Sequence, residues 1–244
     1  MIGDGSGGEG RAGSAASLRS LNVGLPAPLP YRGRQVQSGF VKHPVEGAVW
    51  LSRTGLAGDG QADLKVHGGP EKAACLYPAE HYPYWEERLG RRLPAAAFGE
   101  NLSTAGLTEP GVCIGDVFRV GDRGAVVQVS QPRQPCYKLA ARHGEKRLAL
   151  WVQQTGLTGF YFRVLEEGEV AAGDAVRLVE RPAPEATVAE ANRVMHRDKG
   201  DLRAAERLLS VEQLSPSWRR TFEERLAGGR EDTAARLLGP EGRS

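Results

Sequence analysis

The chain is poor in cysteine and has no long apolar run. Its three cysteines among 244 residues, Cys75, Cys113 and Cys136, are odd in number and widely spaced. That argues against a disulfide scaffold and for a reducing compartment, so the expected location is cytoplasmic. No stretch is apolar for long enough to span a bilayer, and no membrane partner is expected. The opening residues, MIGDGSGGEGRAGSAAS, lack the apolar centre of a secretory signal. Charge of either sign is also without excess: 32 basic and 30 acidic residues leave a formal net charge of +2. No global field recruits a nucleic acid polymer, and none is expected as a partner. Cys75, Cys113, His67 and His81 lack the paired spacing of a zinc site. The glycine-rich loops fit neither the Walker pattern nor the dinucleotide fingerprint.

What is present is punctuation. With 32 glycines and 15 prolines, the chain breaks into short apolar segments joined by Gly-Asp corners. Strand character begins near Leu18, alternates loosely over 35–51, and returns over 112–120, 125–129 and 155–182. Prolines 26, 28 and 30 carry an extended connection. Helices are expected over 77–89, disturbed by Pro83, and over 145–154, stopped by Gly156. Many short strands with few helices point to a β-barrel. After Pro182 and Pro184 the pattern turns helical. Thr187 and Glu190 have capping-box spacing. Asp201 can cap a second helix, and Ser215-Pro216 opens a third, with Trp218, Phe222 and Leu226 on one face. Three helices this short must pack on one another or on the barrel. The expected organisation is a tail over 1–17, a barrel over 18–182, a three-helix bundle over 183–228 and a second tail over 229–244. The fold class is mainly β with helices. Arg203, Arg207, Arg219 and Arg220 interleave with Glu206, Glu212, Glu223 and Glu224, which marks a solvated helix surface, not a nucleic-acid face.

Residues 125–139, AVVQVSQPRQPCYKL, carry the chemistry. A strand over 125–129 gives way to a loop stiffened by Pro132 and Pro135, each of which fixes its own φ and restricts the residue before it. That loop holds Cys136 between Arg133 and Lys138. Nearby cations favour thiolate over thiol, and a stiff, electropositive cysteine suits a nucleophile or a soft-metal ligand. A buried cysteine in a proline turn is the plainer alternative. Two glycine-rich loops precede it, GLAGDGQAD at 55–63 and HGGPEKA at 67–73. His67, Gly68, Gly69 and the following Lys72 read either as a backbone cradle for a phosphate-bearing ligand or as ordinary turns.

Taken in order, GLAGDGQAD, HGGPEKA, FGENL, IGD, VSQPRQPCYKL and TGLTGFYFRVL resemble the MOSC domain, and the helical tail resembles the 3-alpha domain of YiiM-type proteins. The resemblance covers roughly residues 18–226. It implies a β-barrel that binds the molybdenum cofactor, a pterin dithiolene with a terminal phosphate, or that handles sulfur. It implies that Cys136 ligates molybdenum and that the reaction is reduction of N-hydroxylated bases such as 6-hydroxylaminopurine. Tyr137 stands where the family pattern has tryptophan. On this resemblance the site comprises Cys136 as metal ligand, with Lys72, the His67-Gly68-Gly69 backbone, Arg133 or Arg163 on the pterin phosphate, and Asn101 on the pterin edge. Asp59, Asp63 or Glu100 would orient substrate or relay protons; each also suits turn capping. No flavin or nicotinamide motif is present, so a separate electron-donor reductase, of flavoprotein or ferredoxin type, is expected. The alternative is a sulfur-carrier module with a persulfide on Cys136, which needs the same reactive thiolate.

Overall fold

The computed structural model describes residues 16–63, 68–122, 124–229 and 231–239. Its strands, in chain order, are β1 (Ser17–Val23), β2 (Ala27–Tyr31), β3 (Arg34–Ser38), β4 (His43–Pro44), β5 (Val49–Ser52), β6 (Gly55–Leu56), β7 (Ala74–Pro78), β8 (Leu102–Ala105), β9 (Val117–Val120), β10 (Val126–Pro132), β11 (Phe160–Glu166), β12 (Gly168–Val170) and β13 (Val176–Glu180). The helices are α1 (Tyr82–Leu89), α2 (Lys138–His143), α3 (Leu148–Thr155), α4 (Val188–Asn192), α5 (Leu202–Leu209), α6 (Pro216–Leu226) and α7 (Ala234–Leu238). None of the described helices is long and apolar enough to cross a membrane.

Eight strands form one mixed sheet in the order β13-β9-β10-β11-β7-β8-β1-β4. β7 and β8 run parallel, with Leu76 opposite Leu102; the other neighbours are antiparallel. The ladder is not a continuous closed ring. It curls until Ser17 bridges Ala175, where Val176 N donates to Ala16 O at 2.8 Å. The sheet itself stays open, and backbone bonds of Ala16 and Leu18 to residues 173–176 span the seam between β1 and the start of β13.

β10 lies inside the sheet between β9 and β11, and six of its seven residues are buried. A strand covered on both faces reads as a near-continuous apolar run, as VVQVSQP does. It extends past the expected end at Val129 to Pro132, which pairs with Phe160. Proline is tolerated there because the ladder is ending. The register shifts between Val129 and Gln131. At that bulge Ser130 Oγ donates to Glu71 O at 2.6 Å, and Ser215 N donates to Ser130 O at 3.0 Å. One irregular residue thus ties together the second glycine loop, the central strand and the helical region.

Other segments differ from the sequence expectation for clear reasons. Pro28 and Pro30 lie in β2, which pairs with β3 as a separate two-stranded hairpin. Its turn is Arg32-Gly33, with φ of 48° and 74°, the left-handed geometry that matches strand twist. Tyr77 belongs to β7 and not to a helix, because β7 inserts between β11 and β8 and is buried throughout. α1 begins at Tyr82, after a 3-10 turn over Ala79–His81. α2, which the sequence reading does not contain, starts two residues after Cys136. α3 ends on Gly156 in the left-handed conformation, as expected.

The C-terminal helices are capped where the sequence places the caps. Thr187 Oγ1 accepts from Glu190 N at 3.0 Å, Asp201 Oδ1 from Ala204 N at 3.0 Å, and Ser215 Oγ from Trp218 N at 3.4 Å. Such caps stabilise by about 1 kcal/mol each. The capping box is half formed: the Glu190 carboxylate goes to Arg193 instead of returning to Thr187. Past α4 the chain continues as a π-helical turn, Arg193–Arg197. Val188, Ala191, Ala205, Leu208, Trp218 and Phe222 join the same core as the barrel residues Val127, Phe160 and Phe162, so the bundle is welded to the barrel.

A second core, Phe40, Tyr77, Trp85, Phe98, Leu139, Leu148 and Val152, lies under α1, α2 and α3. The Tyr77 and Phe98 rings stack at 4.2 Å, and Trp85 Nε1 donates to Tyr77 Oη at 2.6 Å. Burying each of these large side chains stabilises by roughly 2–3 kcal/mol. Leu139 belongs to this core and follows Cys136 by three residues, so the same packing seats the cysteine loop.

The tail expected over 229–244 is not a tail throughout. Residues 234–238 form α7, for which the short, weakly apolar sequence gave no sign. Residues 1–15 lie outside the described residues; Ser17 already belongs to β1.

Candidate active site

Cys136 sits in the connection between β10 and α2. Arg133 N donates to Gly159 O at 3.0 Å, Tyr137 N to Arg236 O at 2.9 Å, and Leu139 N to Cys136 O at 3.1 Å. These bonds, with the two prolines, hold the loop in one conformation. Cys136 is buried, at 6% exposure, yet it lines two adjoining cavities. The inner one is about 70 Å³ and includes Phe40, Lys42, Cys75, Asn101 and Arg133 in its lining. The outer one is about 360 Å³ and includes Asp63, Gln131, Tyr137 and Arg236. Lys72, Gln134, Cys136, Lys138 and Tyr161 line both. The sulfur therefore stands where a narrow slot meets a wider chamber.

The walls are cationic. Arg133 is buried at 5% exposure, lies 5.5 Å from the Phe40 ring centroid, and its Nη1 has no hydrogen-bond partner among the described residues. A buried guanidinium nitrogen with nothing to donate to is costly, and a ligand anion in the slot would satisfy it. Lys72 ends a 3-10 turn, Pro70–Lys72, that begins after Gly69 at φ 91°. Its ammonium is 5.9 Å from the Tyr161 ring centroid. Burial lowers its pKa, and the Asp63 carboxylate acts in the opposite direction. Cys75 shares the slot, and burial pushes its thiol up to about 11. At neutral pH Cys75 is therefore a neutral thiol, unsuited to attack.

The sequence-derived candidates divide. Cys136, Lys72 and Arg133 come together as expected. Arg163 does not join them. Its guanidinium is bound to Glu71, to Gln128 Oε1 at 2.8 Å and to Gln213 O at 2.8 Å. It lies on β11, and its grip on Glu71 steadies the 3-10 turn that presents Lys72. Asn101 reaches the inner slot, but its amide is already engaged: Oδ1 accepts from Cys75 N at 3.1 Å, and Nδ2 donates to Asp59 Oδ2 at 2.9 Å and Asn22 O at 3.2 Å. Asp59 is not a substrate-facing acid. Its side chain, 1% exposed, is ion-paired with Lys42 and accepts from Gly24 N at 2.9 Å. Glu100 is fully buried and holds Tyr82 Oη at 2.5 Å, Phe98 N at 3.1 Å and Ser103 Oγ at 3.0 Å. Burial raises its pKa, with the Tyr82 bond acting against it. Among the three acids only Asp63 lines a cavity at Cys136. Gly68 and Gly69 line neither cavity; Gly69 serves the turn, its carbonyl accepting from Lys72 N at 3.0 Å. His67 lies outside the described residues.

Lys42, Cys75, Gln134, Tyr161 and Arg236 are cavity residues that sequence reasoning missed as site residues. Cys75 and Tyr161 face each other across the β7–β11 ladder, a pairing between residues 86 apart that no local pattern encodes. Lys42 gives no local sign either.

Comparison with known proteins agrees with this architecture. A MOSC domain model matches residues 63–177, and a model described as the YiiM-like, 3-alpha helix domain matches residues 187–229. Protein YiiM of Escherichia coli (strain K12) is 45% identical over 206 residues, covering 83% of this chain and 91% of that protein. The chain belongs to the YiiM-type MOSC-domain proteins. An uncharacterized protein, YflK of Bacillus subtilis (strain 168), is 57% identical over 206 residues, covering 84% of this chain and 92% of that one. The crystal structure of YiiM from Geobacillus stearothermophilus superposes with a TM-score of 0.74 at 42% identity, covering 86% of this chain and 99% of that chain. A longer protein named Reductase, from Gibberella moniliformis, is 37% identical over 166 residues, 67% of this chain and 29% of its own length. In this YiiM-type chain the MOSC match contains Cys136, Lys72 and Arg133, while Arg236 lies beyond both matched regions.

Proposed function

We propose that the Cys136 cleft binds a molybdenum cofactor and that the protein reduces N-hydroxylated compounds such as 6-hydroxylaminopurine. The observation that carries this reading is the Cys136 sulfur opening between cationic walls, with the buried Arg133 Nη1 lacking a hydrogen-bond partner among the described residues. Among the described residues no three His, Cys, Asp or Glu side chains group as a metal site. A metal held here by Cys136 would have to bring its remaining ligands with it, as a dithiolene pterin does, and a thiolate suits a soft, sulfur-rich centre. Arg133 and Lys72 would hold the phosphate, the guanidinium offering the better fork. The longer relative named Reductase supports a redox assignment.

The overall change is R–NHOH plus two electrons and two protons to R–NH2 and water. When bound, the cofactor supplies the electron pair; the protein supplies binding, orientation and electrostatics. Cys136 Sγ, which lines both cavities, is the residue that would hold the metal. The chamber side, with Asp63, Gln131 and Tyr161, receives the substrate. Asp63, Lys72 and Lys138, with the Tyr137 and Tyr161 hydroxyls, line that chamber and are the groups that would deliver protons to the departing hydroxyl. With no flavin or nicotinamide motif in the sequence, electrons come from a separate reductase of flavoprotein or ferredoxin type.

The test is metal and pterin analysis of protein made in a host that synthesises the cofactor. Stoichiometric molybdenum and pterin are expected, with Cys136→Ala losing N-hydroxylamine reduction. Full activity in Cys136→Ala would overturn the assignment. A persulfide on Cys136 without pterin would replace it with a sulfur-carrier role.

A further inference from the structure

The chain continues past the end of the 3-alpha match at residue 229 and returns to the cysteine loop as α7. Its bonds fall on both sides of Cys136. Arg236 Nη1 donates to Pro135 O at 2.5 Å, on the residue before the cysteine. Tyr137 N, on the residue after it, donates to Arg236 O at 2.9 Å. Arg236 Nη2 donates to Gln153 Oε1 at 2.8 Å, which fixes the same guanidinium to α3. The end of α7 is seated on the β2–β3 hairpin and the cysteine loop together. Tyr31 Oη donates to Leu238 O at 2.8 Å. Gly239, at φ 87°, packs so closely that a Cβ would come within 2.9 Å of the Tyr31 ring and 3.4 Å of the Tyr137 ring.

Arg236 and Ala235 line the outer cavity with Cys136. Both hydrogen-bond acceptors of the guanidinium are neutral, and among the described residues no salt bridge reaches Arg236. Glu231 acts on it only at longer range. A cation with uncharged partners at the edge of a cavity attracts anions entering that cavity.

We propose that α7 is the outer wall of the Cys136 chamber, and that Arg236 is a positioning residue that holds the cysteine loop from both sides and favours anionic over neutral molecules at the sulfur. This rests on the chamber being the ligand site but not on which cofactor fills it. The test therefore uses full-length, cofactor-free protein and reads thiol chemistry. Neutral iodoacetamide and anionic iodoacetate are applied at one pH, and alkylation of Cys136 is followed by peptide mass spectrometry, which scores Cys75 and Cys113 separately. Arg236→Gln is expected to lower the iodoacetate-to-iodoacetamide rate ratio about threefold, the effect of one unit charge a few ångströms away in a wet cavity. Arg236→Lys, which keeps the charge, is expected to keep the ratio. Gly239→Val retains Arg236 but forces α7 off Tyr31 and Tyr137, and is expected to raise both rates severalfold. An unchanged ratio in Arg236→Gln would overturn the role of the charge, and unchanged rates in Gly239→Val would overturn the wall. Circular dichroism confirms folding of each variant, and the Gly239→Val arm stands alone if Arg236→Gln does not fold. Absence of molybdenum from the native protein would remove the cofactor reading and leave these ratios as they are.

Discussion

Asn101 and Asp59 form a relay beneath the slot: Asn101 Nδ2 donates to Asp59 Oδ2 at 2.9 Å, while Asn101 Oδ1 accepts from the backbone of Cys75. Asp59 in turn neutralises Lys42, whose side chain is 5% exposed. Both residues come from motifs that look like ligand contacts, and both are spent on holding the cavity floor together.

Asp59→Asn is accordingly expected to destabilise the cofactor-free protein by about 3–5 kcal/mol, because it leaves the Lys42 ammonium buried without a counter-charge. Urea unfolding measures this. A loss below about 1 kcal/mol would mean that the pair is solvated and Asp59 is available to substrate.

Arg133 should behave in the opposite sense. Its Nη1 makes no hydrogen bond to the described protein, so Arg133→Met is expected to leave the cofactor-free melting temperature unchanged or raise it. The same change should weaken binding of a phosphate-bearing ligand. Calorimetric melting and phosphate or cofactor titration read the two effects separately. A large drop in melting temperature with intact binding would make Arg133 a structural residue.

For Arg163 the expectation is indirect. Arg163→Gln removes the clamp on Glu71 and lets the Pro70–Lys72 turn loosen. Stability should fall by about 1–3 kcal/mol, and ligand retention should fall less than in Lys72→Gln. Ligand loss equal to that of Arg133→Met, with stability intact, would put Arg163 in direct contact with the ligand.

His196 sets an acid limit. It lies in the π-helical turn, neither ring nitrogen has a hydrogen-bond partner among the described residues, and its ring meets the Trp218 ring edge-on at 6.1 Å. Burial, with Arg236, Lys199 and Arg225 acting in the same direction, lowers its pKa from 6.5 to about 3. Between those two values the unfolded chain binds a proton that the folded chain refuses. Its contribution is therefore fully present above the unfolded value and is lost as the pH falls toward about 3, at about 1.4 kcal/mol per pH unit. His196→Phe, which keeps the ring packing and gives up no hydrogen bond, should flatten that part of the stability-against-pH curve. An unchanged slope in urea unfolding between pH 6 and 4 would place the acid sensitivity elsewhere.

Local order in the chain was enough for the parts of this protein that depend on neighbours in sequence. The three helix caps at Thr187, Asp201 and Ser215, the stop at Gly156, the central strand leading into Cys136, and the placement of Cys136 with Arg133 and Lys138 all rest on contacts within a few residues. The motif order also carried the family. What only the tertiary structure decided depends on strand pairing and chain return. Asp59, Asn101 and Glu100 are site candidates on the family resemblance; the structure buries their side chains and engages them with protein groups, since a desolvated carboxylate or amide must be satisfied by the protein itself. Arg163 shares the Tyr161 face of β11 but stands two residues further along the strand, where Glu71, Gln128 and Gln213, all distant in sequence, take its guanidinium. Arg236 enters the site from a hundred residues away, held to the cysteine loop by the Pro135 carbonyl and the Tyr137 amide, backbone groups that carry no side-chain signal, and to α3 by Gln153.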